Sequence, residues 1–149
     1  MKSAVLPQIN IVAWNVNCNT EIAGNYLKQL AKNADFIAIS EHGLFPNELY
    51  KLNHLIPGYI ASAKASAQLN DMDFGHKRRM GGCAILWNEN RFRYKVKPMM
   101  HLGSDRIVVA ELHVKNQVHF IISVYMPHQT CTIASYDIEL KILQDVLDE

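Results

Sequence analysis

Two nearly uninterrupted apolar runs, separated by a helical pattern, constrain the fold of this chain most. Residues 9–16 read Ile-Asn-Ile-Val-Ala-Trp-Asn-Val, and residues 35–40 read Asp-Phe-Ile-Ala-Ile-Ser. Strands of near-continuous apolar character are typical of sheets that are covered on both faces. Between the two runs, Asn19 or Thr20 can cap a helix with apolar residues at helical spacing. This order predicts a βαβ unit and an α/β fold.

The rest of the chain predicts more strands and a closing helix. Pro46 suits the first turn of a short helix that ends at Pro57. Strands are predicted near 83–87, 106–114 and 118–125, and the last two form an antiparallel hairpin that makes the sheet mixed. Residues 61–79 show little periodicity and are expected to form a long loop. From Ser135 onward a helix is predicted, with an apolar stripe of Tyr136, Leu140, Leu143 and Leu147, joined by Ile142 and Val146.

Length and composition indicate one globular unit. The chain has 149 residues, of which 49% are hydrophobic and 19% charged, and this excludes a disordered or fibrous protein. No linker or repeat suggests a domain boundary within 1–149. The net charge of +1 gives no strong overall field, but seven of the fifteen Lys and Arg residues lie between positions 77 and 97. That segment is a candidate phosphate-facing surface, although charge runs are more often solvated loops.

Cysteine usage and apolar run lengths indicate the compartment. Cys18, Cys83 and Cys131 are odd in number and lack metal-binding spacing, which favours a reducing environment. The N-terminus has no signal-peptide pattern, and no apolar run approaches the roughly 20 residues that span a bilayer. We therefore expect a soluble, intracellular protein without membrane contact, and the choice between nucleus and cytoplasm stays open.

Polar side chains follow both strands of the predicted βαβ unit. Glu41 ends the second strand, and Asn15 and Asn17 share one face at the end of the first by strand parity. Open α/β sheets place ligand sites at the carboxyl ends of their strands, so these three side chains are candidates for one site. The alternatives are an ordinary solvated Glu and turn-forming Asn residues.

Four segments carry a family resemblance over nearly the whole chain. Residues 14–17 (Trp-Asn-Val-Asn), 34–42 (Ala-Asp-Phe-Ile-Ala-Ile-Ser-Glu-His), 81–87 (Gly-Gly-Cys-Ala-Ile-Leu-Trp) and 123–127 (Ser-Val-Tyr-Met-Pro) resemble, in order, motifs of the endonuclease/exonuclease/phosphatase superfamily. Within it, residues 40–44 and 104–108 are most similar to endonuclease domains of non-LTR (LINE-type) retrotransposons.

The resemblance implies an α/β protein, a four-layered α/β sandwich of the DNase I-like type with mixed β-sheets, which hydrolyses phosphodiesters with Mg²⁺. Glu41 matches the family's metal ligand, Asn15 and Tyr125 its catalytic Asn and Tyr, and Asn17 a supporting position. Tyr125 has a structural alternative as a buried strand aromatic. DNA is the implied partner, and a full-length parent protein would carry a reverse transcriptase domain. The candidate nucleic-acid contacts are Lys77, Arg78, Arg79, Arg106 and His128.

The sequence also departs from the family pattern. Ser40 stands where many members have Gln, and His128 where several nucleases have Asn. The later Asp-x-Asn motif and Asp-His pair, which orient and activate the water, are not found after Tyr125. The chain therefore resembles a truncated N-terminal part of the domain, for which we expect little activity and low solubility. The alternatives are a non-catalytic nucleic-acid-binding or interaction module, and a phosphatase or lipid phosphodiesterase of the same superfamily.

Overall fold

The structure is a computed structural model that describes residues 8–66, 81–127 and 133–149. The first predicted unit is present as β1 (Ile11–Asn15), α1 (Thr20–Leu30) and β2 (Phe36–Ser40). A 3-10 helix, Pro46–His54, then leads into β3 (Tyr59–Lys64). After the gap come β4 (Cys83–Asn88), the short α2 (Glu89–Phe92) and β5 (Val96–Pro98). The chain continues with β6 (Ile107–Val114), β7 (Gln117–Val124) and α3 (Ile133–Leu147).

The described strands form two sheets. In the first sheet the strand order is β1-β2-β4-β3, and in the second it is β5-β6-β7. β1 and β2 pair in parallel, as a βαβ unit requires, whereas β4 is antiparallel to both β2 and β3. The first sheet is therefore mixed because of β4. The predicted hairpin is confirmed as β6 and β7, but these strands belong to the second, antiparallel sheet.

In the described residues, three apolar clusters separate four layers of structure. α1 and the 3-10 helix cover one face of the first sheet, with Leu27 and Leu52 packed against strand residues such as Ile37. The opposite face packs on the second sheet, where Ile85 meets residues such as Val108. On the outer face of the second sheet, α3 covers strand residues through a third cluster. The predicted four-layered α/β sandwich is confirmed.

The long loop predicted for residues 61–79 is wrong at its beginning, because β3 extends to Lys64. The small side chains Ala61, Ser62 and Ala63 give little hydrophobic signal. These residues pair with the strongly apolar β4. β3 can therefore form with small side chains, because pairing with β4 stabilises it. The sequence also missed the short elements α2 and β5, which are too brief to show a period.

The apolar stripe predicted on α3 is partly wrong. Val146 is buried and Ile142 and Leu143 pack against the second sheet, whereas Leu140 and Leu147 are 43% and 62% exposed. A hydrogen bond from the Ser104 hydroxyl to Glu139 Oε2 (2.7 Å) lies on the packed side. The packed face of α3 is therefore rotated from the predicted one. None of the described helices is long and apolar enough to span a membrane.

Candidate active site

The polar residues singled out in the sequence lie at one end of the sandwich. Asn15 is paired with Ser40, so β1 and β2 end side by side, and Glu41 follows immediately. In the second sheet Ile107 pairs with Val124, so β6 begins and β7 ends at one level, and Tyr125 follows. The fold thereby brings the ends of strands from both sheets to a common site.

Both carboxylate oxygens of Glu41 accept a hydrogen bond within this site. Asn15 Nδ2 donates to Oε2 at 2.8 Å, and the Tyr125 hydroxyl donates to Oε1 at 2.8 Å. We call Asn15, Glu41 and Tyr125 the Glu41 cluster. Hydrogen bonds to a charged acceptor are shorter and stronger than neutral ones, so they fix the orientation of the carboxylate. The three residues proposed as catalytic are therefore in direct contact, across 84 residues of sequence between Glu41 and Tyr125.

Asn17 contributes to the cluster through its backbone. β1 ends at Asn15, and Asn17 lies in a left-handed turn with φ 49°. The prediction that strand parity puts the two side chains on one face is therefore wrong. Instead, the Asn17 N–H donates to Asn15 Oδ1 at 2.8 Å. This bond uses the amide oxygen of Asn15 and leaves its NH₂ group directed at Glu41. The predicted supporting position therefore orients Asn15.

Glu41 has an unusual backbone conformation. Its φ of 53° lies in the left-handed region, which few residues other than Gly and Asn adopt. The neighbouring turn after β1 contains Cys18, also at positive φ (58°), and the Cys18 N–H donates to the Glu41 carbonyl at 2.7 Å. Backbone strain of this kind persists where the surroundings over-determine it, and it is concentrated at functional sites.

Arg106 lies beside Tyr125 and supports it. The Arg106 guanidinium carbon is 5.7 Å from the centre of the Tyr125 ring, and Nη1 donates to the Tyr125 carbonyl at 3.4 Å. Burial, and then the hydrogen bond to Glu41, raise the pKa of the Tyr125 hydroxyl above its ordinary value. The hydroxyl therefore stays protonated and remains a donor. Arg106, which was predicted as a nucleic-acid contact, therefore contacts the Glu41 cluster through Tyr125.

The other predicted nucleic-acid contacts, Lys77, Arg78, Arg79 and His128, lie outside the described residues, as does Cys131. Farther along the basic segment, Arg91 pairs with Asp35 at the start of β2. With a rise of about 3.3 Å per strand residue, this ion pair is roughly 20 Å from Glu41. Arg91 therefore fastens the opposite end of the sheet and does not face the candidate site.

The sequence did not single out His42, which lies directly behind Glu41. The ring is only 1% exposed, and burial lowers the pKa of His42 below its ordinary value. The sequence signal that could have identified His42 was its position next to Glu41, a candidate metal ligand. Burial of His42 and its contacts with the protein indicate a structural role for the ring.

The donor set at this end suits one kind of cation. Mg²⁺ keeps several waters and needs only one or two protein carboxylates besides substrate phosphate oxygens. Glu41 supplies such a carboxylate, whereas the described residues contain no group of three or more His, Cys, Asp or Glu that could hold a metal by themselves. The donor chemistry of Glu41 and its neighbours therefore fits a hydrated Mg²⁺.

Solved structures with the same arrangement of strands and helices were found, all at low sequence identity. The endonuclease domain of TRAS1, a telomere-specific non-LTR retrotransposon, superposes with a TM-score of 0.60 and 16% identity, covering 94% of this chain and 54% of that one. The AP endonuclease LMAP from Leishmania major gives 0.62 and 12%, covering 93% and 46%. The 3′ phosphatase NExo from Neisseria, bound to a product DNA hairpin, gives 0.63 and 16%, covering 95% and 54%.

This chain has the DNase I-like α/β fold of these solved structures. It spans about half the length of these solved structures. No protein-family model and no curated protein matches the sequence. At identities of 12–16% the likeness establishes the fold of the chain, and activity has to be argued from the site itself.

Proposed function

We propose that this chain carries the metal- and phosphate-binding side of a Mg²⁺-dependent phosphodiesterase that acts on DNA. The observation that carries the proposal is the convergence of Asn15 and Tyr125 on the Glu41 carboxylate. Two neutral donors around one carboxylate at the end of a sheet are a suitable arrangement for binding a cation and a phosphate together.

Each member of the Glu41 cluster has a distinct task in this proposal. Glu41 would hold the cation, which when bound polarises the phosphoryl group and stabilises charge on the leaving oxygen. Asn15 Nδ2 and the Tyr125 hydroxyl are donors that can turn toward a phosphate oxygen while they stay close to Glu41. Arg106 adds a fixed positive charge beside Tyr125 that favours an anionic substrate.

DNA is the proposed substrate class for two reasons. Two of the solved structures are described as endonucleases, and a third holds a product DNA hairpin. In this chain the basic residues Lys77, Arg78 and Arg79 belong to the segment between Ser66 and Gly81. A Cβ atom added to Gly81 would lie 2.7 Å from Ser66 Cβ, so both described ends of the segment lie together. By the same resemblance, a parent protein would place a reverse transcriptase domain alongside this one.

Turnover by the 149-residue chain alone is proposed to be slight. The sequence after Tyr125 holds acids only at Asp137, Glu139, Asp145, Asp148 and Glu149, and contains no Asp-x-Asn. All five belong to α3 or the two residues that follow it, and the Glu139 carboxylate is bonded to Ser104. General acid–base groups are each worth roughly 10² to 10⁴ in rate, so their loss removes most catalysis.

The test measures cation binding and cleavage separately. Binding of Mn²⁺, a probe for Mg²⁺, is followed by electron paramagnetic resonance in the native chain and in Glu41→Gln, which keeps the side-chain shape. Nicking of supercoiled plasmid is assayed in parallel with Mg²⁺. We expect Mn²⁺ binding that Glu41→Gln abolishes, with trace nicking at most. Mn²⁺ binding that is absent, or unchanged in Glu41→Gln, would refute the proposed metal site, and rapid Glu41-dependent nicking would refute the proposed loss of turnover.

A second function is a nucleic-acid-binding module without catalysis, and the Arg106 guanidinium beside Tyr125 favours it, because a fixed positive charge can bind a phosphate without a cation. The two functions differ in their dependence on the cation. DNA binding that persists in EDTA and in Glu41→Ala would favour the binding module. DNA binding that needs both the cation and Glu41 would favour the phosphodiesterase.

A further inference from the structure

The ring of His42 is held by two hydrogen bonds of opposite sense. The Leu44 N–H lies 3.0 Å from Nδ1, and the Lys64 carbonyl oxygen lies 3.0 Å from Nε2. A backbone N–H can only donate and a carbonyl can only accept, so Nδ1 is the acceptor and Nε2 carries the hydrogen. One neutral tautomer satisfies both partners, and the ring connects the loop after β2 to the end of β3.

The backbone of His42 is fastened as well. Its carbonyl accepts a hydrogen bond from the Thr20 hydroxyl at 2.6 Å, at the start of α1, and its N–H lies 3.4 Å from the Gly82 carbonyl, before β4. Gly82 also leaves room for the ring, because a Cβ atom there would lie 2.4 Å from His42 Cε1. Four segments of the chain therefore meet at His42.

These contacts fix the residue that precedes His42. The left-handed conformation of Glu41 is strained for an L-residue and relaxes unless both flanks are held. On one flank the Cys18 N–H holds the Glu41 carbonyl, and on the other His42 is anchored through its ring and its backbone. The direction of the Glu41 side chain therefore depends on the buried ring of the residue that follows it.

We propose that His42 is a positioning residue, whose buried ring sets the left-handed turn at Glu41 and thereby the affinity of the site for a divalent cation. The inference rests on the proposed role of Glu41 as a cation ligand. Residues that orient metal ligands typically contribute about 10- to 100-fold to metal affinity. We expect His42→Ala to weaken cation binding about 10-fold, at the lower end of that range.

The experiment compares Mn²⁺ dissociation constants of the purified 149-residue chain, measured by electron paramagnetic resonance well below the unfolding temperature. Glu41→Gln reports on the ligand itself and His42→Ala on its positioning. His42→Asn is the rescue variant, because its side-chain oxygen can accept the Leu44 N–H in place of Nδ1. Arg91→Ala is the stability control, because it removes the ion pair with Asp35 at the far end of the first sheet.

The proposal expects weaker binding in His42→Ala, partial recovery in His42→Asn, and native affinity in Arg91→Ala despite a lower unfolding temperature. Native affinity in His42→Ala, with binding still abolished by Glu41→Gln, would overturn the positioning role and leave the proposed function standing. Absence of Mn²⁺ binding in the native chain would overturn both.

A further variant applies if His42→Ala does not fold. Thr20→Val keeps the shape of the side chain but removes its hydrogen bond to the His42 carbonyl. We expect its Mn²⁺ affinity to fall in the same direction by a smaller factor. Unchanged affinity in a folded Thr20→Val protein would then count against His42 as the anchor of the turn.

Discussion

Replacing Glu41 by Gly should give a more stable protein than replacing it by Ala. Both changes remove the carboxylate and its two hydrogen bonds, so they differ only in backbone preference. At φ 53° an L-residue is strained by about 1–2 kcal/mol, whereas Gly adopts this conformation freely. The greater freedom of Gly in the unfolded chain costs about 0.4–1 kcal/mol. The difference in unfolding free energy should therefore be about 1 kcal/mol in favour of Gly.

The matched control is Gln29, an exposed residue within α1. In a helix Ala is more stable than Gly by about 0.8–1.0 kcal/mol, so Gln29→Ala should exceed Gln29→Gly in stability. The difference in unfolding free energy between the Ala and Gly variants should therefore have opposite signs at Glu41 and Gln29. The left-handed backbone conformation at Glu41 explains such a reversal.

Urea unfolding followed by circular dichroism measures these differences, provided that the four variants share one denaturant slope. A change of about 1 kcal/mol corresponds to a shift of roughly 2–4 °C in the unfolding temperature for a chain of this size. If Glu41→Ala proved at least as stable as Glu41→Gly, the left-handed turn would not be strained, and His42 would not be needed to hold it.

Three further predictions follow from burial and charge. In a Cys131→Ser background, native protein should react with thiol reagents at the partly exposed Cys18 and not at Cys83, because burial raises the pKa of Cys83 to about 12. Mass spectrometry identifies the labelled cysteine, and labelling of Cys83 in the folded protein would contradict this prediction. Val146→Ala should lower the free energy of unfolding by about 1.5 kcal/mol and Leu147→Ala by less than about 0.5 kcal/mol, since Val146 is buried and Leu147 is exposed. Equal losses in urea unfolding would contradict the packing of α3 through Val146. Duplex DNA binding should weaken with salt by log–log slopes near −0.9 per neutralised phosphate, and a slope near zero in fluorescence anisotropy would exclude phosphate contacts.

Sequence periodicity predicted the elements whose stabilising contacts are local or strongly patterned. The apolar runs around β1 and β2 are long, and the hairpin of β6 and β7 has a short polar turn, so each was recognised within a residue or two at most ends. The motifs also predicted which polar residues would meet, because strand ends share an edge of a sheet. Topology therefore explains why these residues lie at the same end of the sandwich as Glu41.

Features that depend on distant partners could not be read from the sequence. β3 is a strand because β4 offers it a complete edge, and its own Ala and Ser residues carry no pattern. α3 is apolar on more than one side, with Ile138 and Leu140 exposed and Val146 buried, so periodicity could not select the packed face. Contacts with the second sheet, including the bond between Ser104 and Glu139, select it.

The backbone of Glu41 explains how the candidate site can be ready for a cation before one arrives. Each carboxylate oxygen has two lone pairs, so the bonds from Asn15 and Tyr125 leave acceptor capacity for a metal. Those donors already restrict the side chain, and His42 already restricts the turn, so little orientational freedom remains to be lost on binding. The cost appears instead as backbone strain in the folded state. The stability gained in Glu41→Gly should therefore come with loss of cation binding, which is the trade-off between stability and activity that natural active sites commonly show.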